Sequence, residues 1–166
     1  MKFGSFLKKQ TEKERAGAVS RPDWVPEIIR DKVTGPDESF QSIRPGNQIF
    51  VGTACATPRR LIARLEKADM PLSDVRMVHF LTDGAIPLED GLPRTRFRHK
   101  VFFVGSETRE AVKQGKADYV PVSAARIPDL FKNGKIHLDV ALIQVSLPDE
   151  NGFVSLGISV DITRAA

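Results

Sequence analysis

Apolar residues along this chain fall in short continuous runs, and polar stretches of helical length separate them. Ile49-Phe50-Val51 is the first run, followed by small residues at 52–57 and a helix predicted over 58–68. Pro58 suits its first helical position, where a missing N–H costs nothing. After the turn Pro71-Leu72-Ser73-Asp74 comes a strand at 76–82, and Val101-Phe102-Phe103-Val104 reads as a third strand. That third run leads into a helix at 106–114, with Ser106 as its cap and Gly115 as its stop. A short extended piece at 119–122 and one helical turn at 127–131 follow, the latter stopped by Asn133-Gly134. The last run, 138–146, is almost wholly apolar and reads as the strongest strand, ending in a turn at 147–152. Continuously apolar strands alternating with helices predict an α/β fold: an open, mostly parallel sheet with flanking helices.

The flanks read differently. Residues 1–23 are polar and charged and form an amino-terminal extension, with the domain proper at 24–166. Thr34-Gly35-Pro36-Asp37-Glu38-Ser39 carries turn and cap chemistry for a short helix ending near Ile43, and Pro45-Gly46-Asn47 is a turn. At the other end Ile158-Ser159-Val160 reads as a strand, Asp161 as a helix N-cap and 163–166 as a first helical turn. One turn cannot repay helix nucleation, which predicts a domain truncated at its carboxyl-terminal end.

Composition narrows the function classes. At 166 residues and 41% hydrophobic content the chain makes about one globular domain. No apolar run approaches the ~20 residues of a membrane span. Near the amino terminus Lys2, Lys8 and Lys9 surround only Phe6-Leu7, too little for a secretory signal, so the expected location is cytoplasmic. The single cysteine, Cys55, excludes an internal disulfide and a paired-cysteine metal site, and its place in a turn suits a small packing residue. His79, His99 and His137 are dispersed, which suits core or surface histidines rather than metal ligands. The net charge of +4 is spread over basic residues mixed with acids, without the clustered stripe a nucleic-acid interface needs.

Two loops carry the candidate chemistry. Gly52, Thr53, Ala54, Cys55, Ala56, Thr57 and Pro58 join a buried strand to a helix, and small side chains there allow close approach of another molecule. Backbone N–H groups at such a junction suit an anionic group. The loop lacks both the Gly-x-Gly-x-x-Gly pattern and the Lys-Ser/Thr ending of a P-loop, which argues against nicotinamide and ATP. The second loop, Pro148-Asp149-Glu150-Asn151-Gly152, follows Ser146 at the carboxyl edge of the sheet, where open α/β sheets bind ligands. Asp149 suits an Asx role bonding the turn's own backbone, and Gly152 permits the reversal. Ser155-Leu156-Gly157-Ile158-Ser159 does not match a serine-hydrolase elbow.

These two loops, with Ile43-Arg44-Pro45-Gly46, Phe97-Arg98, Phe103-Val104-Gly105, 117–122 and Ile127-Pro128 through Phe131, resemble the acetyl-CoA hydrolase/CoA-transferase family, which includes acetate and 4-hydroxybutyrate CoA-transferases. The resemblance covers about residues 24–166 and only the amino-terminal half of such an enzyme. It implies the CoA-transferase fold, acyl-CoA and a small carboxylate as substrates, and coenzyme A as substrate rather than resident cofactor; the expectation of no metal rests on the single cysteine and the dispersed histidines. It also implies that Gly52 to Pro58, Ser146, Pro148, Asp149 and Gly152 lie near the substrate. The glutamate that becomes the CoA thioester belongs, by the resemblance, to the carboxyl-terminal half. Glu150 is therefore a minor candidate, and this chain is expected to hold no catalytic residue. A missing half or a separate chain carrying it is the expected partner, with self-association through an uncovered apolar face as a further expectation. The alternative from another class is a non-catalytic or split-gene module that pairs with a carboxyl-terminal partner.

Overall fold

A computed structural model describes residues 25–82 and 96–166. Among the described residues five strands form one sheet: β1 (Gln48–Val51), β2 (Val75–His79), β3 (Phe97–Val101), β4 (Ala117–Tyr119) and β5 (Val140–Leu142), in the order β4-β3-β2-β1-β5. Every pairing is parallel. The helices are α1 (Pro36–Phe40), α2 (Arg59–Lys67), α3 (Ser106–Lys113) and α4 (Ile127–Lys132). The expected extension at 1–23 and the loop after Thr82 lie outside the described residues.

Alternation along the strands divides the core in two. Ile49, Val51, Val75 and Met77 point to one face, where Ile62 and Leu65 of α2 join Phe40 and Ile43. Phe50 and Val78 point to the other, where they meet Phe102, Ile127 and Ile136. Phe131 of α4 closes this second cluster, edge-on to Phe50 and Phe102 at 6.1 and 6.0 Å between ring centroids. Both faces of the central strands are therefore dry, as their continuous apolar runs require.

Several boundaries differ from the sequence reading, each for a tertiary reason. The third strand is Phe97–Val101, four residues earlier than the apolar run at 101–104. Its polar residues are carried by pairing: Arg98 stands in register with Arg76, and both reach Asp74, at 2.8 and 3.6 Å. The apolar run beyond it is the strand exit, with Phe102 buried in the second cluster and Phe103 exposed. The final strand is only Val140–Leu142, because among the described residues β5 is an edge strand whose sole neighbour is β1. Ser106 is not a cap; Gly105 holds that place, and its N–H donates to Thr108 Oγ1 at 3.0 Å. Pro58 precedes the first helical residue, Arg59, and its carbonyl accepts from Ile62 N–H at 3.1 Å. Residues 158–160 form no strand, and Asp161 is not a helix cap: 161–165 are turns.

Candidate functional site

The loop between β1 and α2 is held from three sides. Thr53 is fully buried and its hydroxyl donates to Asp161 Oδ2 at 2.5 Å. Ala54 N–H donates to Leu81 O at 2.5 Å, and Cys55 N–H to Ser159 Oγ at 3.2 Å. Between these bonds Ala54 adopts φ +45°, and Asp161 opposite it φ +38°. A left-handed residue with a Cβ costs about 1–3 kcal/mol and persists only where its surroundings over-determine it. These bonds provide that constraint. Gly52 has a different reason from the one read in the sequence: a Cβ there would lie 2.7 Å from Ala56 O, so the missing side chain makes room for the loop itself.

Cavities open on either side of the loop, and Cys55 borders both. One, of about 370 Å³, lies against the start of α2 and is lined by Thr57, Arg59, Arg60, Leu61 and, from beyond β5, Ile143 and Gln144. The other, of about 300 Å³, lies where β1, β2 and β3 leave the sheet, between Ala54, Phe80, Thr82, Phe103 and Thr108. Among the described residues no group of three or more His, Cys, Asp or Glu side chains is placed to hold a metal ion. No described helix is long and apolar enough to cross a membrane.

Beneath the second cavity, adjacent strands bring two dispersed histidines together. His79 and His99 have ring centroids 5.6 Å apart at an interplanar angle of 78°. His79 Nδ1 shares a hydrogen bond of 3.2 Å with the hydroxyl of Thr82, a residue of the cavity wall. His79 Nε2 and His99 Nδ1 are buried without a partner. Burial, and then the proximity of His99, pushes the pKa of His79 down to about 3; burial takes His99 down to about 4. Both rings are neutral at pH 7. His137, by contrast, is exposed, with Nε2 3.1 Å from Asp139 Oδ1.

The second candidate loop leaves the same sheet edge, because β5 pairs in parallel with β1 (Val51 opposite Leu142) and Gly52 N–H donates to Leu142 O at 2.9 Å. It is the tip of a hairpin. Ser146 and Ser155 are joined by backbone and side-chain bonds of 2.9 Å, and Asp149 Oδ1 accepts from Asn151 and Phe153 N–H at 3.0 and 2.8 Å. Asp149 thus has the Asx role expected of it. Gly152, at φ +83°, sits against Ile28 and Ile29, and Glu150 is exposed. Neither Ser146 nor 148–152 lines the two cavities; Ile143 and Gln144 take that place. Sequence reasoning missed Leu81, Ser159 and Asp161 as partners of the first loop. In the sequence Asp161 reads as a helix cap, and the Ser159 hydroxyl as one that contacts substrate or satisfies backbone groups; it does the latter, for Cys55 N–H.

The profile of the acetyl-CoA hydrolase/transferase N-terminal domain matches residues 23–166. The chain belongs to that family. As a member of the acetyl-CoA hydrolase/transferase family, it is 41% identical over 132 residues to the succinyl-CoA:acetate/propanoyl-CoA:succinate CoA transferase of Fasciola hepatica, covering 78% of this chain and 27% of that one. It is 36% identical over 141 residues to the 4-hydroxybutyrate coenzyme A transferase of Clostridium kluyveri, covering 84% and 33%. The crystal structure of a 4-hydroxybutyrate CoA-transferase from Porphyromonas gingivalis superposes with a TM-score of 0.60 at 27% identity, covering 84% of this chain and 31% of that one. The chain therefore spans about a third or less of the length of the curated relatives it matches.

Proposed function

We propose that this chain supplies the amino-terminal wall of the active-site cleft in an acyl-CoA:carboxylate CoA-transferase or acetyl-CoA hydrolase, with the nucleophilic glutamate carried by a carboxyl-terminal part outside this sequence. One observation carries the reading: relatives with CoA-transferase names match this chain over most of its length, yet it spans only about a third of theirs. The braced, left-handed loop at Ala54, with a cavity on each side, is the part of this chain best suited to face a substrate. Apolar side chains left exposed at Leu147, Phe153 and Ile158 favour a further polypeptide over the hairpin and the segment after it.

In the proposed reaction the partner's glutamate carboxylate attacks the acyl-CoA carbonyl, the C–S bond breaks, and coenzyme A leaves as the thiolate. The thiolate attacks the glutamyl carbonyl of the resulting anhydride and releases the first carboxylate, leaving a glutamyl-CoA thioester. An acceptor carboxylate reverses these two steps to take the coenzyme A; alternatively, water hydrolyses the thioester. Backbone N–H groups would stabilise the oxyanions. The neutral His79 holds Thr82 at the cavity wall without placing a charge beside the acyl group.

The test is an acetyl-CoA assay of this chain alone and with a supplied carboxyl-terminal polypeptide from a relative, each with and without Glu150→Gln. The expected result is no turnover alone and restored turnover that ignores the substitution. Turnover by the isolated chain that disappears in Glu150→Gln would place the nucleophile in the hairpin and overturn the reading.

A further inference from the structure

The cavity where β1, β2 and β3 leave the sheet is walled largely by apolar groups, Ala54, Phe80, Leu81 and Phe103, with Phe80 and Phe103 edge-on at 6.1 Å between ring centroids. Two threonines interrupt that wall. The Thr108 hydroxyl is committed to the start of α3: it accepts from Gly105 N–H at 3.0 Å and donates to Phe103 O at 3.4 Å. Thr82 is half-buried, and among the described residues its hydroxyl has one partner, His79 Nδ1 at 3.2 Å. A bond between a hydroxyl and a neutral imidazole can run in either direction, and the surroundings of His79 decide which. The ring is 1% exposed and neutral at pH 7, so it carries one N–H. Were that hydrogen on Nε2, it would be a buried donor with no acceptor among the described residues. Orphaned buried N–H groups are rarer than under-satisfied acceptors. Placed on Nδ1, the hydrogen donates to Thr82 Oγ1 and no buried donor is orphaned. The hydroxyl hydrogen of Thr82 is then left free.

We infer that Thr82 is a hydrogen-bond donor into this cavity, set in that role by His79 Nδ1–H, and that it binds a carbonyl or carboxylate oxygen of a short acyl group lying against Phe80 and Phe103. His79 is a positioning residue: it does not touch the ligand, but by donating to the Thr82 oxygen it turns the hydroxyl hydrogen away from the core. An apolar wall with one oriented polar group is what a small ligand with an apolar tail and a single acceptor end requires. On the reading proposed above, which this deepens, the ligand is the acyl end of the substrate. A fixed neutral donor there suits an oxygen whose negative charge grows as its carbonyl is attacked.

The test is NMR of the ¹⁵N-labelled 166-residue chain in two arms. In the first, long-range proton–nitrogen correlation reads which ring nitrogen of His79 carries the hydrogen, with His79→Leu assigning the signals. A protonated Nδ1 and a bare Nε2 are expected; a hydrogen on Nε2 would overturn the inference. In the second, sodium butyrate is titrated at constant ionic strength into the parent and its variants. The Thr82 and Phe103 amides should shift saturably. Thr82→Ser should bind within about twofold of the parent and Thr82→Val about tenfold more weakly, as one hydrogen bond to a charged group contributes. His79→Asn, which keeps an N–H near the place of Nδ1, should bind more tightly than His79→Leu; should the His79 variants fail to fold, Thr82→Val decides alone. Equal binding by the parent and Thr82→Val would overturn the inference and leave the cleft reading intact. So would silent Thr82 and Phe103 amides in a chain that still supports acetyl-CoA turnover once a carboxyl-terminal polypeptide is supplied. Butyrate bound through Thr82, with no turnover in that complemented assay, would keep the donor and refute the reading.

Discussion

Acidification from about pH 7.5 to about pH 5 should destabilise the chain by about 4 kcal/mol through His79 and His99 alone. His79 is buried and His99 half-buried on neighbouring strands, and burial holds their pKa values down to about 3 and about 4. In the unfolded chain each returns to about 6.5. A depressed pKa means that the unfolded state binds more protons, so the stabilisation is complete above pH ~6.5 and is lost as the pH falls toward the folded values. At pH 5 the native rings are still neutral, so the cost depends only on the unfolded pKa. The gap of about 1.5 units at about 1.36 kcal/mol per unit gives about 2 kcal/mol for each ring. Urea unfolding followed by far-ultraviolet circular dichroism at both pH values measures this. The comparison is His79→Leu/His99→Leu, which removes two nitrogens that lack partners and gives up the bond to Thr82 and the edge-on contact between the two rings. Every other titrating group is common to both proteins, so the difference isolates the pair. The variant should lose about 4 kcal/mol less than the parent with unchanged urea slopes. Equal losses in the two proteins would refute the claim that neutral rings at these two positions are a condition of this fold.

Three further outcomes follow from the loops. Gly52→Ala should lower stability by about 1–3 kcal/mol, because the new methyl group meets backbone at Ala56 O; an unchanged melting temperature would contradict the packing described. Thr53→Val should cost about 1–2 kcal/mol and loosen 158–166 as seen by hydrogen exchange, while Thr53→Ser retains the bond to Asp161; equal behaviour of the two variants would show that the bond contributes nothing. Asp149→Ala should speed hydrogen exchange at the Asn151 and Phe153 amides with little change in melting temperature, since the hairpin tip is exposed. Unchanged protection there would exclude the Asx bonds.

The amino-acid order determined the layered α/β plan, because an apolar run such as Ile49-Phe50-Val51 suits only a strand covered on both sides. It also determined where chain direction reverses: Gly46, Gly115, Gly134 and Gly152 all take positive φ at predicted turns. Family membership was legible from the two loops, since short motifs depend on local spacing that survives in the sequence. Strand limits were not. Phe97–Val101 contains Arg98, His99 and Lys100 and becomes a strand because β2 and β4 pair with it on both sides, a long-range fact that local hydrophobicity cannot encode. The apolar stretch beyond Leu142 has no neighbour among the described residues to extend β5 and departs instead into the hairpin. The candidate site shows the same division. The small residues of 52–58 announced a loop of special geometry, but its partners, Leu81, Ser159 and Asp161, come from elsewhere in the chain, and Asp161 is separated from Thr53 by 108 residues. Only the fold could bring them together.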